Sequence, residues 1–185
     1  MDEIWIQNVL HGDSEAFRQI ISKYKDMAYS IAMSVIKDEF YTEEILQVSF
    51  LKAYDKLDTF KGDSKFSTWL YRIVINESFK LVKKHKTEII DFVEAPPEIP
   101  NEIENAILKL EIDDQKYFIN EALKKISPKE SLILRLFYLD ENNIKEICIE
   151  TGWSSSNIKA ILHRARINLK LILTEIYKLN KKGLY

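Results

Sequence analysis

Residues that interrupt a helix are nearly absent from most of this chain, and that scarcity narrows its possible folds more than any other feature. Only Gly62 falls between Gly12 and Gly152, and three of the four prolines crowd into Ala95-Pro-Pro-Glu-Ile-Pro-Asn101. Helix-breaking backbone is therefore confined to a few points. Between them, apolar residues recur at steps of three and four, the period of a helix with one buried side, and no strand alternation competes. The predicted fold class is all-α.

Three helices are predicted in the first half. Phe17, Ile20, Ile21, Tyr24, Met27, Ala28, Ile31 and Val35 form one stripe, with Asp13 or Ser14 placed to cap the first amides. A second helix is predicted to start after Thr42 and run through Leu46, Phe50, Tyr54 and Leu57, with Glu44, Gln47 and Lys52 on its outer face. The stretch from Thr59 to Lys65 around Gly62 reads as a turn into a third helix, Phe66 to about Lys86, capped by Ser64 or Ser67. Phe66, Trp69, Leu70, Ile73, Val74 and Val82 give this helix an apolar side. Arg72, Asn76, Lys80, Lys83 and Lys84 recur near another.

The proline cluster lies in an acidic stretch that cannot continue a helix and reads as an exposed linker. It divides the chain into two small helical domains, residues 1–86 and 105–185, joined by residues 87–104. After it, helices are predicted over Ile103–Ile126, Pro128–Leu139, Ile144–Thr151 and Ser154 to roughly Leu179, with Pro128 suited to a first turn. A chain of 185 residues, 46% apolar and 30% charged, can bury two such cores unaided.

Charge alternates along this frame. Residues 1–51 carry four basic and nine acidic side chains, residues 52–86 nine and four, residues 87–121 two and ten, and residues 122–185 twelve and six. The overall net charge of −2 thus hides two basic blocks separated by an acidic one. Such runs are either solvated helix faces or anion-binding surfaces, and position must decide between them.

In the last block, Ile144 to Arg166 has the grammar of a helix-turn-helix. Ile147 and Cys148 supply apolar contacts at a helix crossing, Gly152 lets the backbone reverse, and Trp153 packs the turn. Ser154 or Ser155 can cap the next helix, whose buried side is Ile158, Ile161, Leu162 and Ala165. Ser156, Asn157, Lys159, His163, Arg164 and Arg166 are left at or near the outside, as groups suited to base edges and phosphates.

Four passages then place almost the whole chain. They are Asp13 to Phe17; Thr42-Glu-Glu-Ile-Leu-Gln-Val-Ser-Phe50; Phe60-Lys-Gly-Asp-Ser-Lys-Phe-Ser-Thr-Trp-Leu-Tyr-Arg-Ile-Val-Ile-Asn76; and His163-Arg-Ala-Arg166. In this order the chain resembles the extracytoplasmic-function sigma factors, which keep only sigma domains two and four. The third passage is the most specific. Departures are local: Glu44 stands where relatives usually carry Asp, and Lys80 where many have Asp. Lys83 and Lys84 replace commoner arginines, so phosphate contacts there are point-charge rather than bidentate. Ala160 and Ile161 replace a frequent Ser-Arg pair, which leaves the promoter sequence open.

The resemblance implies an alternative sigma factor that binds core RNA polymerase, recognises −10 and −35 promoter elements and directs transcription initiation. It implies a polymerase-binding surface on the second helix, with Glu44, Gln47, Leu46 and Leu51. Lys61, Asp63, Ser64, Arg72, Asn76, Lys80, Lys83 and Lys84 would engage the −10 region, where opened bases need pockets and the displaced backbone needs cations. Trp69 reads as core packing rather than a contact. Ser156, Asn157, Lys159, Ala160, His163, Arg164 and Arg166 would engage the −35 region, Lys159 and His163 as base readers and the two arginines as phosphate holders. The acidic linker, Glu88 to Glu104, resembles the family's connector; it is a transcript mimic or a solvated spacer. An anti-sigma protein is a further implied partner, and the basic domain faces with an acidic linker invite closure of the free protein.

The competing reading is a stand-alone helix-turn-helix regulator with an N-terminal interaction domain, which has no reason to contain the Gly62 to Asn76 passage. An enzyme is not expected, since the chain has no glycine-rich phosphate loop, paired-histidine metal motif or nucleophile elbow. No cofactor, metal or small-molecule substrate is expected either. The single cysteine, Cys148, forbids an internal disulfide and reads as packing, and with an acidic N-terminus and no membrane-length apolar run a cytoplasmic location without membrane insertion follows.

Overall fold

A computed structural model of the chain describes residues 2–85 and 112–181. Within them lie eight α-helices and no strand: α1 (Asp2–Leu10), α2 (Glu15–Ile36), α3 (Glu39–Asp55), α4 (Phe66–His85), α5 (Ile112–Lys125), α6 (Pro128–Tyr138), α7 (Ile144–Thr151) and α8 (Ser155–Lys181). A single 3-10 turn, Leu57–Thr59, follows α3.

The ends of these helices are set locally. Asp13 caps α2, its carboxylate accepting from the amides of Glu15 and Ala16 at 3.0 and 3.3 Å. Lys37 closes α2 in the left-handed region, φ 62°, with its amide on the Met33 carbonyl. Asp38 then starts α3 by accepting from the Tyr41 amide at 3.0 Å. The second helix therefore begins four residues before the expected Thr42 start, because Asp38 satisfies a free amide first. Thr42 is instead buried inside α3, its hydroxyl against Met33 Sδ at 3.5 Å.

α2 is the central rod of the first half, packing on α1, α3 and α4. Ile20, Ala28, Ile31, Ala32, Leu70 and Val74 are fully enclosed there. Two members of the expected stripes lie elsewhere. Met27 is exposed at the edge of α2, and Tyr54 is exposed but sets its ring edge-on to Phe17 at 5.1 Å. α1, which the periodicity reading did not resolve, buries Ile6 and Val9 and is tied to α2 by Asp2. That carboxylate accepts from Lys23 at 2.5 Å and from the Tyr24 hydroxyl at 2.6 Å. α4 starts at Phe66, which places Ser67 inside the helix, and the Ser64 hydroxyl turns to the Lys65 carbonyl, so neither serine caps it as expected.

The second half is built on α6, α7 and α8. Ser127 with Glu130, and Asn143 with Glu146, form capping boxes that start α6 and α7. Leu132, Ile133, Leu136, Ile147, Ile158, Ile161 and Ala165 form the core between them. α5 packs on the far part of α8 through Phe118, Ala122 and Ile176. The two domain boundaries expected at 86/87 and 104/105, the acidic linker 87–104 and the start of the expected Ile103 helix lie outside the described residues.

The halves touch. α6 packs on α2 and α7 on α4, and the buried side chains of both form one continuous apolar cluster. Lys37 donates to the Ile126 carbonyl and, at 3.2 Å, to that of Lys124. Burial against this surface lowers the Lys37 ammonium to about 8, with Glu130 opposing. Arg135 of α6 bonds Asp140 at 3.2 Å and approaches Met27 Sδ at 3.7 Å.

Candidate nucleic-acid interface

α4 sorts its side chains by period. Phe66, Leu70, Val74, Ile75 and Ser78 face the core, while Arg72, Asn76, Lys80, Lys83 and Lys84 are exposed. Lys61 and Asp63 of the preceding turn are also exposed, and Ser64 is half-buried. Gly62 takes φ 78° in that turn, a conformation glycine adopts without steric cost. Trp69 is half-buried among Phe60 and Phe66, ring centroids 5.5 Å from each, which matches its expected packing role.

One acid sits within this basic strip. Glu77 is buried and receives Lys52 from α3 and Lys80, the latter at 2.8 Å. Burial alone would raise its carboxyl, but the hydrogen bonds and charges of the two lysines outweigh that and hold it below the ordinary range. Lys52, expected on the outer face of α3, is therefore turned toward α4. Around this cluster lies a cleft of about 370 Å³ lined by Lys52, Lys56, Ile73, Asn76, Glu77, Phe79, Lys80 and Lys83. Lys52, Lys56, Glu77 and Phe79 were not singled out as site residues from the sequence. The step from Lys52 to Lys56 was a readable sign of one helical face, but not of which helix it would meet.

On α3, Glu44, Gln47 and Leu51 are exposed along one row, with Leu46 half-buried beside it. Phe40, 73% exposed, extends the row by one turn and was also not anticipated. An apolar ring and Leu51, 64% exposed, flank two polar side chains there, a composition suited to a protein partner.

The helix-turn-helix forms as expected. Gly152 ends α7 at φ 74°, its amide on the Cys148 carbonyl at 2.9 Å, and Thr151 receives the Trp153 amide at 3.2 Å. Ser154, one of the two serines expected to cap α8, accepts from Asn157 at 3.3 Å. Ile158, Ile161, Leu162 and Ala165 are buried beneath, and Ser156, Asn157, Lys159, Ala160, His163, Arg164 and Arg166 are all exposed. Arg166 is less free than the rest: its Nε donates to the Tyr138 hydroxyl at 2.8 Å, and its guanidinium lies over the Phe137 and Tyr138 rings. Cys148 is half-buried against the core. Among the described residues no cluster of His, Cys, Asp and Glu could hold a metal ion, and no helix is long and apolar enough to cross a membrane.

Residues 20–88 match the family model of Sigma-70 region 2, and residues 119–169 match that of Sigma-70 region 4. The chain is 30% identical to the ECF RNA polymerase sigma factor SigW of Bacillus subtilis, over 92% of this chain and 96% of that one. It is 28% identical to SigM of the same organism, over 83% and 93% respectively. Among solved structures, CnrH in complex with the cytosolic domain of CnrY superposes at a TM-score of 0.60, with 20% identity over 93% of this chain and 96% of that one. The sigma factor RpoE of Bartonella quintana, in complex with the anti-sigma factor NepR, gives 0.59 with 21% identity over 85% and 96%; both likenesses bear on the fold. The region 2 match includes the Gly62 to Asn76 passage, so the stand-alone regulator loses its premise. With both sigma regions present in order on an all-helical frame, and a relative matched over nearly its full length, the chain belongs to the extracytoplasmic-function sigma factors of the sigma-70 family, which bind core RNA polymerase and promoter DNA and direct transcription initiation.

Proposed function

We propose that three exposed surfaces divide the work of initiation. The Glu44, Gln47, Leu51 row of α3, with Leu46 beneath it, is the polymerase-binding surface. Lys61, Asp63, Ser64, Arg72, Asn76, Lys80, Lys83 and Lys84 form the −10 surface, and Ser156, Asn157, Lys159, Ala160, His163, Arg164 and Arg166 the −35 surface. Residues 1–86 and 105–185 act as the two sigma domains and 87–104 as their connector. The observation that carries this reading is the sorting of faces: every one of these side chains is exposed except Leu46 and Ser64, which are half-buried, while the helices beneath them bury their apolar sides.

The chemistry of each surface suits its assignment. Lysines and Arg72 supply cations for backbone phosphates, and the cleft at Asn76 offers a recess beside them. Lys159 and His163 project from the first turns of α8, the part of a recognition helix that meets base edges. The protein acts by recruitment, carries no catalytic residue of its own, and works in the cytoplasm with the polymerase. An anti-sigma protein fits the same α3 row, as a competitor for it.

The test is capture of bacterial core RNA polymerase by the full chain and by a folded Glu44→Ala, Gln47→Ala double variant. Salt-resistant capture by the wild type and its loss in the variant is expected. Equal capture by both would remove α3 from the interface.

A further inference from the structure

The turn Lys61–Ser64, assigned to the −10 region, has no internal means of keeping its shape. Among the described residues no backbone hydrogen bond from these four positions closes it, and Gly62 within it has the widest backbone freedom of any residue type. What the turn presents to a strand is therefore set by its two ends. Those ends are aromatic. Phe60 and Phe66 meet edge-on at 5.4 Å between ring centroids, and Trp69 lies 5.5 Å from each.

Both ends are held from α1. The Phe66 ring rests on that of Tyr24 at 5.7 Å, and Tyr24 is buried on α2 with its hydroxyl donating to Asp2 at 2.6 Å. Asp2 is fixed in turn by the Lys23 ammonium, which lies over the rings of Trp5 and Tyr24 at 5.7 and 5.1 Å. On the other side, α1 packs on the 3-10 turn Leu57–Thr59. Leu57 there is enclosed, and its carbonyl accepts from the Phe60 amide at 3.1 Å. A helix that only completed a core would need its apolar side, Ile6 and Val9. It would have no use for a carboxylate bonded to the buried hydroxyl of the ring on which Phe66 sits. α1 also precedes the Sigma-70 region 2 match, which begins at residue 20, and none of the three assigned surfaces includes it.

We propose that α1 is a brace for the −10 turn, with Asp2 as its positioning residue: it holds one end through Tyr24 and Phe66, and the other through the 3-10 turn. The brace rests on the assignment of the Lys61–Ser64 turn to the −10 region. It acts by preorganisation. A turn already held in its reading shape loses less conformational freedom on meeting an opened strand, so the strand is bound more tightly without touching α1. The Asp2 side chain is 26% exposed, so a substitution there breaks the bond without emptying the core.

Hydrogen exchange of the full chain, as wild type, Asp2→Ala, Tyr24→Phe and the double variant, tests the brace. The amides of Thr59 and Phe60 are bonded to the Lys56 and Leu57 carbonyls. They should exchange about tenfold faster in each single variant, as expected for loss of a hydrogen bond to a charged group. The double variant should go no further, because both substitutions break one bond. Amides of α3 and α8 should be unchanged. Faster exchange spread evenly through α2, α3 and α4 would make α1 an ordinary part of the core and overturn the brace, as would unaltered exchange at Thr59 and Phe60. The consequence is read with holoenzyme reconstituted from core RNA polymerase, on a duplex that the wild type selects from a random pool. Asp2→Ala should slow strand opening several-fold with capture of the polymerase unchanged. A loosened turn with opening at the wild-type rate overturns the brace. If Lys61→Ala, Lys84→Ala also opens that duplex at the wild-type rate, the −10 assignment fails instead.

Discussion

The two helices proposed to face DNA, α4 and α8, are built on the same plan but finished differently. Each buries one side in a core of Ile, Leu, Val and Ala and leaves basic and polar side chains outside. On α8 the reading face from Ser156 to Arg164 projects into solvent. On α4 the basic strip contains a buried acid, Glu77, that already engages Lys52 and Lys80, and the turn at Gly152 and Trp153 crowds its edge. The difference fits the two tasks: a recognition helix needs only a ready surface for duplex DNA, whereas a surface for separated strands must exchange internal partners for nucleic acid.

The sharpest way to break the comparison is to remove the support under one helix. Ile147→Ala empties a fully buried site beneath the helix-turn-helix and should cost about 2–5 kcal/mol, seen as a lower urea midpoint. Binding to −35 DNA should fall with it, and retention of the midpoint would show that α8 is held elsewhere.

A pH titration separates the halves next. Glu150 on α7 is pushed up to about 7, first by burial and then by the charges of Asp140 and Glu146, with the Asn142 hydrogen bond opposing. The folded state therefore keeps a proton that the unfolded chain releases above its ordinary value near 4.5. Stability from this group is complete below that value and is lost as pH rises toward 7, by up to ~3 kcal/mol. Asp140, also raised by burial, with the charge and hydrogen bond of Arg135 opposing, adds in the same direction. Glu77 acts in the opposite sense in the first half, since its lowered carboxyl loses stabilisation as pH falls below the ordinary value. Denaturation midpoints of Glu150→Gln between pH 4.5 and 8 should be flatter than wild type; an unchanged slope would refute the assignment.

Smaller effects sharpen the reading of α8. Lys159→Ala or His163→Ala should cost roughly 1–3 kcal/mol on a matched site and relax one base position, measured by binding to a set of single-base variants. Arg164→Ala should weaken all sequences alike and reduce the salt slope by about one. Smallest is Arg166→Ala, because its side chain is already engaged by Tyr138 and Phe137 and has less to offer a phosphate.

Legibility followed the range of the interaction that decides each feature. The recognition helix was readable because its cap at Ser154, its turn at Gly152 and its buried stripe are neighbours along the chain. Asp38 was a similarly local signal, but Thr42 followed by two acids spelled a competing cap, and only the observed bond to Tyr41 distinguishes them. The capping boxes at Ser127 and Asn143 were spelled in the sequence as well. By contrast, Phe40, Lys56 and Glu77 gained their place in a surface from which helix packs beside them, and Met27 left the core because it faces the second half across an edge.

The all-helical class, the helix-turn-helix and the two basic blocks were legible in the chain alone, because helical period, caps and turn chemistry act over a few residues; the sigma family was legible only through the likeness of four passages to known members. The tertiary structure decided that Glu77 occupies two of the lysines, that α3 and α4 enclose a cleft, and that the two halves share one apolar cluster. Those outcomes depend on pairings between residues distant in the chain, such as Lys52 with Glu77, Phe79 with Trp153 and Lys37 with Ile126, which no local pattern encodes.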